Sequence, residues 1–158
     1  MTTVDPQNSQ VPLHRQIAGA MASAMTAEAE FADLLIEQVT DPKRRLKSMT
    51  EGDVLVDCIG VGMRSEPGNR RARLKLYTTH AAVRAKLPGG VPTDSDLERL
   101  GFIAERVQTY FEDQHSLTLP NGQLAKLTSS EPFAHVVRSQ LFGDGLFTSP
   151  IQFTWTVL

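Results

Sequence analysis

A chain of 158 residues, 41% apolar and 22% charged, has room for one domain with a real core, and its composition is that of an ordinary globular protein rather than a disordered or fibrous one. The net charge of −2 supplies no global field toward nucleic acid or anionic lipid. The lone cysteine, Cys58, excludes an intrachain disulfide and fits a reducing cytosol, and no apolar run approaches the roughly 18 residues that would cross a bilayer.

Residues 1–11 are polar and rich in Pro, Gln and Asn, without the charged and apolar regions of a secretory signal. They are expected to be a flexible arm ahead of a single α+β domain over residues 12–158. Leu13, Ile17, Ala20, Met21, Ala24 and Met25 recur at helical spacing, which predicts a first helix over Pro12–Glu30. Phe31–Val39 fits either a helix extension or a strand, and the strand is favoured; Asp41-Pro42 stops either one. Lys43–Met49 reads as a short basic turn or linker. Val54–Val61 is β-branched and alternating, hence a strand, followed by a polar loop over Arg64–Asn69. A long strand over Arg70–Lys86 comes next. Leu74, Leu76, Thr78, His80 and Ala82 face one way along it, and Arg73, Lys75, Tyr77, Thr79, Ala81 and Val83 the other. Arg64–Lys86 is therefore expected to contribute to a long projecting β-hairpin, with edges bare unless something covers them.

Leu87–Pro92 must be a loop. Thr93 and Asp96 resemble a capping box ahead of a helix over Asp94–Asp113, whose Leu97, Leu100, Ile103, Val107 and Phe111 share one face. Pro120-Asn121-Gly122 is a turn, Leu124–Ser129 a strand, and Glu131–Leu141 a mixed segment with room for a short helix, closed by Gly143-Asp144-Gly145. In the last strand, Leu146–Leu158, Phe147, Ile151, Phe153, Trp155 and Val157 oppose Thr148, Gln152, Thr154 and Thr156, the mark of a sheet covered on one side. The sum is an α+β fold: a mostly antiparallel four- to five-stranded sheet with two main helices packed on one face.

The residues that could carry chemistry do not form a known pattern. His14, His80, His115 and His135 have no metal-ligand spacing, and His115 suits a helix C-terminus for its charge alone. Gly60-Val61-Gly62 lacks the third glycine and the helix of a dinucleotide loop. Cys58, among Val56, Ile59 and Val61, is expected to be a buried, inert thiol. Asp53 and Asp57 are expected to be strand-edge charges that discourage stray pairing. No catalytic residue, cofactor or metal is assigned. Charge is unevenly spread, however. Between Lys43 and Lys86 eleven Lys/Arg face four acids, and the rest of the chain has five against fourteen. Arg64, Arg70, Arg71, Arg73 and Lys75 form the densest basic group, with Lys43, Arg44, Arg45 and Lys47 a second. Two opposed faces of this kind suit head-to-tail contact between copies. Phosphate contact needs similar density, but Tyr77 is the only aromatic residue in that stretch, so base stacking is not indicated.

From about Thr40 to Leu158 the order of elements resembles the tail-terminator (tail-completion) proteins of tailed bacteriophages and prophages. The features are Asp41-Pro42, the Val54–Val61 strand, a variable loop, the long strand with central Leu74-Lys75-Leu76-Tyr77, the Leu97/Leu100/Ile103/Val107/Phe111 helix, Glu131-Pro132-Phe133, and the closing Leu146–Trp155 strand. Trp155 stands where that family commonly has tyrosine, and Pro150 falls inside the final strand. The resemblance implies a non-enzymatic virion protein assembled in the host cytoplasm. It implies a ring homo-oligomer, a hexamer, that caps the tail tube and joins it to the head connector or stopper, with no membrane partner. The Arg64–Arg73 segment is then expected to face a neighbouring ring or the lumen where DNA passes and is contacted non-specifically. Other readings are a head–tail adaptor or stopper of the phage neck, a small cytosolic enzyme with a pocket joining His80, Tyr77 and Asp57, and a basic-faced nucleic-acid-binding module.

Overall fold

The structure, a computed structural model, describes residues 11–40, 49–68, 73–132 and 145–158. The expected arm up to residue 10, all but the last residue of the basic linker, Arg70, Arg71, Gly143-Asp144 and the mixed segment from residue 133 onward lie outside the described residues. Within them the fold is α+β, with two helices and a six-stranded, mostly antiparallel sheet curled into a half-barrel. The helices are α1 (Leu13–Thr26) and α2 (Asp94–Gln114). The strands are β1 (Leu35–Gln38), β2 (Val54–Pro67), β3 (Arg73–Lys86), β4 (Ser116–Thr118), β5 (Leu124–Pro132) and β6 (Leu146–Val157), in the order β1-β2-β3-β6-β5-β4 across the sheet. β1 runs parallel to β2 and every other neighbouring pair is antiparallel. The sheet therefore has six strands rather than four or five. The added one is β4, whose three residues are too few to display a period of two.

Local chemistry explains where the elements start and stop. α1 buries Ile17, Ala18, Met21, Ala22 and Met25, the stripe expected of an amphipathic helix. It ends at Thr26 rather than Glu30, because Glu28 is extended (φ −92°, ψ 129°) and leads into a 3-10 turn, Ala29–Phe31. That turn buries Phe31 edge-on to Tyr110, ring centres 5.3 Å apart. No residue type at 27–30 signals the break; the packing of Phe31 does. At the start of α2 the Thr93 hydroxyl accepts the Asp96 N–H at 3.2 Å and donates to the Asp96 carboxylate at 2.7 Å. The expected cap is thus real. α2 buries Leu100, Ala104, Val107 and Phe111, and Phe111 sits edge-on to Phe153 and Trp155. The Tyr110 hydroxyl donates to the Ala24 carbonyl at 3.3 Å, tying the two helices together.

His115 closes α2 in the left-handed region, φ 59°, its N–H donating to Phe111 O at 3.1 Å. An L side chain is strained there and glycine is not. His115→Gly is expected to raise the unfolding free energy by about 0.5–1 kcal/mol, read as an increased urea midpoint at unchanged slope.

The helix-covered face of the sheet carries Val56, Cys58, Ala81, Val83, Phe153 and Trp155, all buried in one core. Within it the Trp155 indole N–H donates to Thr79 Oγ1 at 2.9 Å, and that hydroxyl donates to Met21 Sδ at 3.1 Å. Pro150 does not interrupt β6: it pairs in register with Ala82. The other face is not simply open to water, as the Thr/Gln alternation suggested. Leu55, Asp57, Ala82, Arg84 and Thr148 on it are buried. Alternation assigns a residue to a face, but it does not say whether that face is wet.

Candidate interaction surface

β2 and β3 pair along their whole length, from Val54↔Ala85 to Pro67↔Arg73, with a bulge between Gly60 and Gly62. Their neighbours are shorter. β1 pairs only with Leu55–Cys58 of β2, and β6 only with Tyr77–Lys86 of β3. The four outer pairs, Arg64↔Leu76, Ser65↔Lys75, Glu66↔Leu74 and Pro67↔Arg73, therefore have no third strand on either side among the described residues. They form a two-stranded ribbon roughly 13 Å long at the usual rise per residue. Arg64–Pro67 is strand here, where sequence suggested loop. Its own residues carry no apolar alternation, and pairing to β3 sets the strand conformation; Leu76, opposite Arg64, is buried.

The pairing sorts the five basic candidates. Directly opposed residues share a face, so Arg73 and Lys75 lie with Ser65 and Pro67 on the helix side, in line with Tyr77. Arg64 lies on the other side with Glu66, Leu74 and Leu76. Arg64, Arg73 and Lys75 are exposed. Arg64 Nε is 3.2 Å from Glu66 Oε1, which offsets its charge. Arg70 and Arg71 belong to the segment joining the two strands, outside the described residues. Of the three that are described, Arg73 and Lys75 share a face and Arg64 does not. Three of the large apolar side chains left exposed, Val61, Met63 and Leu74, are on the same hairpin. At its base Gly60 admits α1 closely: a Cβ there would come within 2.8 Å of the His14 carbonyl oxygen. This close approach, and not a phosphate loop, accounts for the glycine.

On the helix layer, Glu28, Glu30, Glu105, Tyr110 and Asp113 line a cleft of ≈ 430 Å³ between the end of α1 and α2, and Arg106 is the one basic residue in its wall. Arg106 Nη2 donates to Glu30 Oε2 at 3.0 Å. Burial, with Glu28 and Glu30 nearby, pushes the Tyr110 hydroxyl above its ordinary pKa. Sequence reasoning placed the acidic excess outside residues 43–86 but did not locate this cleft, because its walls come from segments some 75 residues apart. The i, i+8 spacing of Glu105 and Asp113 on one predicted helix was the available signal.

The residues of the enzyme reading do not converge. Tyr77 is on the helix-covered face, three positions from His80 on the opposite one. Asp57 is not an edge charge, contrary to expectation. It is 0% exposed on an interior strand, with Arg84 Nε 3.7 Å from its Oδ2, and Arg84 is itself only 8% exposed. The two sit diagonally across adjacent strands, where a charge pair can leave water together although neither could alone. Asp53 is exposed just before β2. Cys58 is buried as expected. Among the described residues no three His, Cys, Asp or Glu side chains group as a metal site, and no helix is long and apolar enough to cross a membrane.

His80 is half-buried, opposite Ile59 and Gln152. Burial lowers its pKa below 6.5 and a hydrogen bond with Gln152 opposes part of that; His14 is lowered in the same direction by burial and by Arg15. Below pH 6.5 the unfolded chain therefore holds more protons than the folded one, and stability falls with pH until the folded-state pKa is passed. His80→Gln is expected to flatten that fall in a series of urea midpoints taken across pH 5 to 7.

No protein-family model matches the chain, and no curated protein matches it.

Proposed function

We propose that the chain is a virion structural protein of the tail-terminator kind, acting through surface fit among identical copies and not by making or breaking bonds. It forms a ring, six-membered as the resemblance implies, that caps the tail tube and meets the head connector or stopper. The observation that carries this reading is the β2–β3 ribbon: a β-arm with no third strand on either edge among the described residues, with exposed Leu74 on it and exposed Val61 and Met63 at its base, such as a subunit presents to a neighbour. The unequal distribution of charge supports it, since a closed ring needs two dissimilar flanks on each subunit. Capping needs one surface that fits the last tube ring and another that refuses more tube subunits. Two helices on one side of a curled sheet and a ribbon at one end provide surfaces that differ in this way.

The test is removal of the gene from the genome that encodes the chain, followed by electron microscopy of the particles released. The reading predicts tubes of uncontrolled length without heads. Tails of uniform length joined to heads would overturn it, and tails of uniform length lacking heads would move the chain to the adaptor or stopper role.

A further inference from the structure

We infer that the β2–β3 ribbon of one copy seats against the acidic cleft between α1 and α2 of the next copy, so that the repeating contact of the assembly is head-to-tail through these two surfaces. The inference rests on the ring reading above and names the surfaces that would build it.

The ribbon is the least self-sufficient part of the described fold. A two-stranded ribbon is marginal in water, and unpaired edges combine with what is offered. Its outer pairs have no neighbouring strand among the described residues; Leu74 is about half exposed on it, as are Val61 and Met63 at its base. The electrostatics of the two surfaces are opposite. On the ribbon, Arg73 and Lys75 project together and are exposed, while Arg64 is offset by Glu66. In the cleft, Glu28, Glu30, Glu105 and Asp113 outnumber Arg106, which Glu30 already holds.

Placement favours a head-to-tail contact over a two-fold one. α1 starts beside the base of the ribbon, where the His14 carbonyl closes on Gly60 and Gln38 Nε2 donates to Arg15 O at 2.9 Å. It runs away from there, and the turn after it puts Glu30 and Phe31 near Gly52 and Val54, at the other end of β2. The basic and acidic surfaces thus lie toward opposite ends of the subunit. That arrangement suits a heterologous interface, in which unlike patches meet. A phosphate backbone would be drawn to the ribbon but repelled by the cleft, whereas a second copy satisfies both.

Sedimentation equilibrium of the full chain tests this with two charge-reversed variants, Arg73→Glu/Lys75→Glu and Glu105→Lys/Asp113→Lys. All four positions are exposed, and unchanged urea midpoints will show that the variants fold. The wild type is expected to associate, and to do so less as salt rises from about 0.1 to 1 M, where screening shortens from ~10 to ~3 Å. Each variant alone should lose roughly 100-fold or more in association constant, because like charges then face one another. An equimolar mixture should recover the wild-type mass, since each variant's ribbon again meets a cleft of opposite sign. Variants that assemble as the wild type does would overturn the inference while leaving the ring reading standing with its contact elsewhere. A mixture that stays as small as its components, or a wild type that is monomeric at every attainable concentration, would also overturn it; the effect of gene removal on tail length judges the ring reading independently.

Discussion

Asp57→Ala is expected to lower the unfolding free energy by about 3–5 kcal/mol, the loss typical when one partner of a buried ion pair is removed. The reason is desolvation. Arg84 is 8% exposed and Asp57 not at all, so the surviving guanidinium would stay in a poorly hydrated place without its carboxylate. Arg84→Ala should cost a similar amount. The double variant Asp57→Leu/Arg84→Met should cost far less than either single change, because replacing both charges with apolar groups removes the desolvation penalty along with the attraction. A cycle of urea denaturations gives the coupling directly. Additive single effects would mean that the two residues stabilise the fold separately and that their 3.7 Å approach is incidental.

The second large effect is expected in the aromatic core. Phe111 is buried and touches both Phe153 and Trp155 edge-on, 5.1 and 6.2 Å between centres, at the contact of α2 with β6. Phe111→Ala should cost about 3–5 kcal/mol, the sum of lost burial and a cavity the surrounding strands cannot close. Trp155 is the only tryptophan, so its fluorescence reports on this site without labelling. Thr79→Val is the matched polar control. It keeps the shape but removes the acceptor of the indole N–H, and should cost about 1–3 kcal/mol with a shifted emission maximum. A Phe111→Ala variant as stable as the wild type would mean that α2 is not anchored to the sheet through this ring.

How far the fold could be read from the residues depended on how local each cause was. α2 was legible because its apolar stripe, Thr93 cap and preceding Pro/Gly break are all written within some twenty-five residues. The helix-covered face of β6 was legible from alternation. The end of α1 was not, because Phe31 leaves the helix to reach Tyr110, a contact across 79 positions. Arg64–Pro67 was read as loop because its own residues carry no apolar alternation, and the pairing with β3 that makes it a strand is not written in them. The Asp57–Arg84 pair was missed for a related reason: each residue looks like an ordinary exposed charge until the register places them diagonally on adjacent strands. The basic candidates were found as a set, but only the pairing of β2 with β3 separates Arg64 from Arg73 and Lys75. Their acidic counterpart could not be placed until the fold brought Glu28 and Glu30 to Glu105 and Asp113.

The central claim is that this chain belongs at the joint between a tail tube and a head. Immunogold labelling of purified tails with antibody raised against the chain measures this directly. The account predicts label confined to the head-proximal end of each tail. Label along the tube, at its distal tip, or on no part of the particle would contradict it.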